Sequence, residues 1–174
     1  MKPWIKSLSR HGAEVLGITL ILLGIYAYQS RNLLPADIQP APALSAPTLG
    51  GEVYDLREHT APATLVYFFA PWCHICAASA SNIKRLRNLR SDHELRILMV
   101  ALDWQTPAEV QEYADHHEIT VPVLLADTSV AGDWNIYAFP TYYILDAHNR
   151  VIHRDLGYST FAGLWWRSMI FGNL

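Results

Sequence analysis

The chain has 174 residues, room for one ordinary domain plus a short appendage. It is 51% hydrophobic with a formal net charge of −3, which excludes the broad basic surface of a nucleic-acid binder. The charge is uneven. Up to Arg31 four basic residues (Lys2, Lys6, Arg10, Arg31) stand against Glu14, whereas the remainder carries nine basic and fifteen acidic residues. A basic head on an acidic body is the pattern of a targeting segment.

From Val15 to Ser30 no residue is charged. As a helix this run covers about 24 Å, which local bilayer thinning and snorkelling flanks can fit to a ~30 Å hydrocarbon core. Trp4, Tyr26 and Tyr28 suit the interfaces. The expectation is a cytoplasmic N-terminus over 1–14, a transmembrane anchor over 15–30 and export of the rest. A cleaved signal peptide is the competing reading, but Tyr26, Tyr28 and Gln29 make a poor cleavage site. The Pro- and Ala-rich stretch 31–47 follows, with Pro35, Pro40, Pro42 and Pro47, and is expected to be a semi-rigid spacer.

The domain is then expected over 48–174. Thr48–Leu56 suggests a hairpin around Gly50-Gly51, and Leu65-Val66-Tyr67-Phe68-Phe69 a buried strand. A helix follows to about Arg90, and Leu95–Leu102 reads as a second buried strand. Thr106-Pro107-Ala108-Glu109 is a capping box opening a helix to about His117. A short strand at Val121–Leu125 and a short helix at Ser129–Ile136 come next. Strands at Tyr142–Leu145 and Val151–Arg154 flank a polar turn, and Ser159 or Thr160 caps a last helix. Alternating elements of this kind predict an α/β fold, a mixed sheet flanked by helices.

Trp72-Cys73-His74-Ile75-Cys76 holds the only two cysteines, directly after the first buried strand and at the start of a helix. In a first helical turn, free N–H groups and the dipole favour a Cys73 thiolate. Cys76, one turn on, can close a disulfide and expel whatever Cys73 has captured. A structural disulfide is the weaker reading, because so small a loop constrains the unfolded chain little. Four-ligand zinc lacks its second pair of ligands, so no metal site is expected. A copper(I)-handling module using the same two thiolates is the competing function. The basic residues Lys84, Arg85, Arg87 and Arg90 read as a solvated helix face, and His116-His117 as charge near a helix end. Trp104, Trp134 and Trp165-Trp166 read as core and rim aromatics.

Ala70-Pro71-Trp72-Cys73-His74-Ile75-Cys76, with Phe139-Pro140-Thr141 before a later strand, resembles the thioredoxin superfamily. With the anchor and the hairpin, the chain looks most similar to its membrane-anchored, exported TlpA-like or ResA-like branch, the copper-sensitivity-suppressor type of disulfide oxidoreductase being nearest. The resemblance implies a thioredoxin-like fold with an N-terminal hairpin extension, and a cis Pro140 whose loop faces the cysteines. It also implies a substrate groove from Trp72, Phe139, Pro140 and Thr141. Three positions depart from the pattern: Tyr67 stands where thioredoxins carry a buried acid, Ser79 where ResA-like reductases carry glutamate, and Ser81 where a proline kinks the helix. Asp103 is a weak candidate for the missing proton acceptor.

The resulting expectation is a thiol–disulfide oxidoreductase anchored in a bacterial inner membrane, its domain in the periplasm, in which Cys73 attacks and Cys76 resolves. His74, with Ile75, tunes the pair toward a higher reduction potential. Its cofactor is the redox-active disulfide itself. Its partners are protein cysteines and a membrane electron donor or acceptor, with the direction of electron flow open.

Overall fold

The structure is a computed structural model that describes residues 3–37, 39–58 and 61–171. It divides into two units, 1–32 and 33–174. In the first, Pro3–Ser30 is one α-helix, α1. The membrane-spanning helix expected over 15–30 is therefore helical, but among the described residues no helix is long and apolar enough to cross a membrane. Lys2, part of the basic head, lies outside the described residues.

The second unit is built on β3 (Ala63–Phe69), β4 (Arg96–Ala101), β5 (Val123–Leu125), β6 (Thr141–Asp146) and β7 (Val151–Leu156). They form one sheet in the order β5-β4-β3-β6-β7, with β3 parallel to β4 and antiparallel to β6. Every residue of β3 is buried, as a central strand covered on both faces requires. Its alternation divides the core. Leu65, Tyr67 and Phe69 face the side holding both cysteines, and Val66 and Phe68 the side holding Trp134.

The helices α2 (His74–Leu89) and α5 (Phe161–Phe171) lie on the cysteine side. So does α3 (Pro107–His116), opened by Thr106, whose hydroxyl accepts the Glu109 N–H, with Pro107 at its first turn. α4 (Thr128–Asp133) is capped by Asp127 and lies on the Trp134 side. The expected hairpin is present as β1 (Ser45–Pro47) and β2 (Val53–Asp55).

From Leu33 onward the chain belongs to the domain, with Leu33, Leu44 and Ala46 buried on the Trp134 side. Its extended backbone lies along the sheet's rim: Ala41 N–H donates to the Asn149 carbonyl and Val151 N–H to the Gln39 carbonyl. Prolines hold the chain extended, and extended chain can pair as readily as it can bridge. Arg90 departs from the solvated-face reading. It is buried, with its guanidinium against Met169 of α5.

Candidate active site

A tight turn at Pro71 and Trp72 carries the chain from β3 into α2, and Cys73 becomes the N-cap residue, one position ahead of the first turn. Cys73 and Cys76 are joined in a disulfide. Both are largely buried: Cys76, on the inner face of α2, completely, and Cys73 with 7% of its area still exposed. The backbone N–H of Cys76 donates to the Cys73 Sγ at 3.1 Å. Cys73 thus receives one of the donors that a helix N-terminus leaves unpaired, at the positive end of the dipole. Those two influences favour negative charge on this sulfur once the disulfide opens.

The surroundings of Cys73 are apolar and open. Trp72 is 59% exposed and Ile75 51% exposed, two large apolar side chains offered to solvent beside the sulfur. The Trp72 indole is held in place, donating its N–H to the Asp103 carbonyl at 3.1 Å. Its ring meets Phe139 edge to face at 5.9 Å between centroids. The Phe139–Pro140 peptide is cis. Phe139 in turn packs against the core that holds both cysteines. The structure therefore brings Trp72, the two cysteines and the Phe139–Pro140 loop together. The Pro140 carbonyl accepts the Gly157 N–H, and the Thr141 hydroxyl donates to the Ala138 carbonyl, so both are spent on shaping the loop. His74, the first residue of α2, is exposed.

Asp103 serves through its backbone, as the acceptor for Trp72. Beneath the disulfide lie hydroxyls. Tyr67 is fully buried in the core with Cys76, and burial holds its phenol protonated far above the ordinary range, with the nearby Ser79 hydroxyl offsetting only part of the effect. Ser79 itself donates to the Ile75 carbonyl at 3.0 Å, and the buried Tyr67 hydroxyl has no hydrogen-bond partner among the described residues. The buried carboxylate of Asp155 is committed to Tyr142 at 2.6 Å and Arg167 at 2.8 Å. Tyr67 and Ser79 can donate a hydrogen bond at neutral pH but cannot take a proton from Cys76.

Among the described residues no group of three or more His, Cys, Asp or Glu side chains is gathered as a metal site. Met99 is buried in the core that also holds both cysteines, and Met169 lies against Arg90. One feature of the site was not legible in the sequence. α3 lines a cavity beside Trp72 with Glu109, Glu112, His116 and His117, residues whose spacing signals only a helix and its caps.

A sheet of this order with a disulfide at a helix N-terminus defines a thioredoxin-like redox protein. The chain belongs to the Redoxin family, whose model matches residues 37–163, and its class is that of the thioredoxin-fold thiol–disulfide oxidoreductases. It is 28% identical over 141 residues to the thioredoxin-like protein YneN of Bacillus subtilis, covering 75% of this chain and 81% of that one. It is 26% identical over 154 residues to the thiol:disulfide interchange protein DsbE of Allochromatium vinosum, covering 82% and 81%. Its fold matches a thiol:disulfide interchange protein of Chlorobium tepidum with a TM-score of 0.71 at 22% identity, over 80% of this chain and 99% of that one.

Proposed function

We propose that the protein exchanges disulfides with cysteines of other proteins, Cys73 being the sulfur that meets the substrate. The observation that carries this is the asymmetry of the pair: Cys73 keeps 7% of its area exposed, is capped by a backbone donor and is flanked by exposed Trp72 and Ile75, against a fully buried Cys76. Only Cys73 can be reached by a bulky partner.

In the reducing direction the Cys73 thiolate attacks a substrate disulfide, forming a mixed disulfide and releasing one substrate thiolate. Cys76 then loses its proton to solvent and attacks the Cys73 sulfur. The second substrate thiolate leaves, and the Cys73–Cys76 bond closes. Two electrons have passed to the substrate, and the oxidising direction is the same sequence reversed. Which way it runs is set by the potential of the partner that recharges the pair.

The location belongs to the same proposal: the inner membrane of a bacterium, with the domain in the periplasm and a membrane electron donor or acceptor resetting the disulfide. It rests on the run from Val15 to Ile25, whose Leu and Ile side chains are exposed on every side of α1, an arrangement that calls for an apolar surrounding. The basic head favours retention of the N-terminus in the cytoplasm.

The test is trapping. In a Cys76→Ala variant the first step proceeds and the second cannot, so mixed disulfides accumulate on Cys73 and disappear on reduction. Absence of such adducts in cells, with Cys73 alkylatable throughout, would overturn the proposal. Release of the full chain from membranes by an alkaline wash would overturn the anchoring alone.

A further inference from the structure

A cavity of about 360 Å³ is lined by Pro71 and Trp72, the two residues that precede Cys73. Pro71 and Trp72 form one wall and α3 the other. Trp72 meets Phe139 edge to face and also lines this cavity, fixed by its hydrogen bond to Asp103. Because Trp72 directly precedes Cys73, a side chain flanking a cysteine bonded to Cys73 is expected to lie toward the cavity.

The chemistry of the lining is one-sided. Glu109 and Glu112 both line it, and no Lys or Arg does. Glu109 is held in position because one carboxylate oxygen accepts the Gln105 N–H at 3.1 Å. Glu112 has no ion-pair partner among the described residues, unlike Glu118 at the end of the same helix, which is satisfied by Lys84 at 2.5 Å. The lining is also aromatic: Tyr113 is buried and stacks on Phe69, and its ring lies 4.5 Å from that of His117. Burial, and the adjacent His116, lower the pKa of His117 and so favour its neutral form. A long flexible stem ending in a positive charge suits this lining: apolar carbons on Trp72 and Pro71, and charge at the carboxylates.

We propose that this cavity is a substrate subsite for a basic side chain, arginine or lysine, flanking the cysteine that exchanges with Cys73. The inference rests on the disulfide-exchange reading above, and it supplies a selection rule among protein clients: cysteines beside a basic residue are preferred, and those beside an acidic one are refused.

The experiment uses the full chain in its reduced form and a set of short peptides, each with one disulfide and with Arg, Ala or Glu on both flanks of the reactive cysteine. kcat/KM for the Arg peptide is expected to exceed that for the Glu peptide by roughly three- to tenfold, carried in KM, the scale of partly screened charge pairs. The double variant Glu109→Gln, Glu112→Gln should bring the ratio to within about twofold while leaving the Ala peptide unaffected, which also shows that the variant is folded. Removing two charges from the Trp134 side, Glu58→Gln with Asp133→Asn, should leave the ratio as it was. An unchanged ratio in the cavity variant overturns the inference. So does an equal loss in the distant variant, which would mean that overall negative charge does the steering. Failure of every peptide to exchange, the Ala peptide included, would instead sink the disulfide-exchange reading.

Discussion

The sulfur of Cys73 lies 3.1 Å from the backbone nitrogen of Cys76 and accepts its N–H, so the two cysteines are linked through the helix start as well as through their bond. A donor in that position stabilises a thiolate and does nothing for a thiol. In the reduced protein, the pH dependence of iodoacetamide alkylation should therefore show Cys73 reacting with a midpoint well below the ~8.5 of free cysteine, within roughly 3.5–7.5. Cys76, fully buried, should lag far behind. A Cys73 midpoint near that of free cysteine would remove the basis for its role as nucleophile.

A stabilised Cys73 thiolate favours the reduced pair and raises its potential. His74, exposed as the first residue of α2, is placed to add a donor or a positive charge beside that sulfur. Titration against glutathione should give a potential above the approximately −270 mV of thioredoxin. His74→Ser should lower it by about 30 mV, a tenfold change in the equilibrium constant. A value at or below that of thioredoxin, or an unchanged value in the variant, would refute the tuning role.

Tyr67 and Tyr142 stack 6.4 Å apart on neighbouring strands, yet their hydroxyls are in opposite circumstances. That of Tyr142 donates to Asp155, with Arg167 and Ser159 also bonded to it, whereas that of Tyr67 is buried without a hydrogen bond. An unsatisfied buried hydroxyl costs about 1–3 kcal/mol, and a satisfied one contributes about 1 kcal/mol. Tyr67→Phe should thus be neutral or stabilise by up to about 1 kcal/mol, while Tyr142→Phe should destabilise by roughly 1–3 kcal/mol. Urea unfolding of the oxidised proteins measures both. A large loss in Tyr67→Phe would mean that its hydroxyl has a partner, such as a buried water.

The elements of the domain and its thiol pair were legible because each rests on a local signal. The β-branched and aromatic run of β3, the Thr106–Glu109 capping box and the Cys73–Cys76 spacing all announce themselves within a few residues. What was not legible depends on distant chain. Leu33 and Leu44 are buried because 33–47 runs beside the hairpin turn at Asn149, more than a hundred residues away, and proline density alone cannot tell a bridge from a paired edge. Arg90 is covered because α5 returns across α2. The cavity exists because parallel pairing of β3 with β4 sets the loop carrying Trp72 beside the helix that follows β4. Glu109 and Glu112 could be read as helix surface, but not as one wall of a space whose other wall is thirty-odd residues earlier.

His153 on β7 provides a pH signature for the fold. Burial holds its imidazole down at about 4, with the Arg167 cation adding to the effect and Asp155 opposing it. The unfolded chain, with an ordinary histidine near 6.5, binds more protons than the folded one between those values. Stability contributed by neutral His153 is therefore complete above about pH 6.5 and is lost as pH falls toward 4. Because the ring is partly exposed, the loss is about 1–2 kcal/mol rather than the full linkage value. Carboxylates held low by partners, such as Glu118 by Lys84 and Asp127 by Ser129, also lose stability in acid, but only below the ordinary carboxylate range. Their window separates from that of His153. His117 adds a slope of the same sign, so the readout is the difference between proteins. Urea midpoints at pH 7 and pH 5 should fall more steeply in the unaltered chain than in His153→Gln. Equal slopes would mean that His153 titrates as it does in water, and that this edge of the sheet is open to solvent.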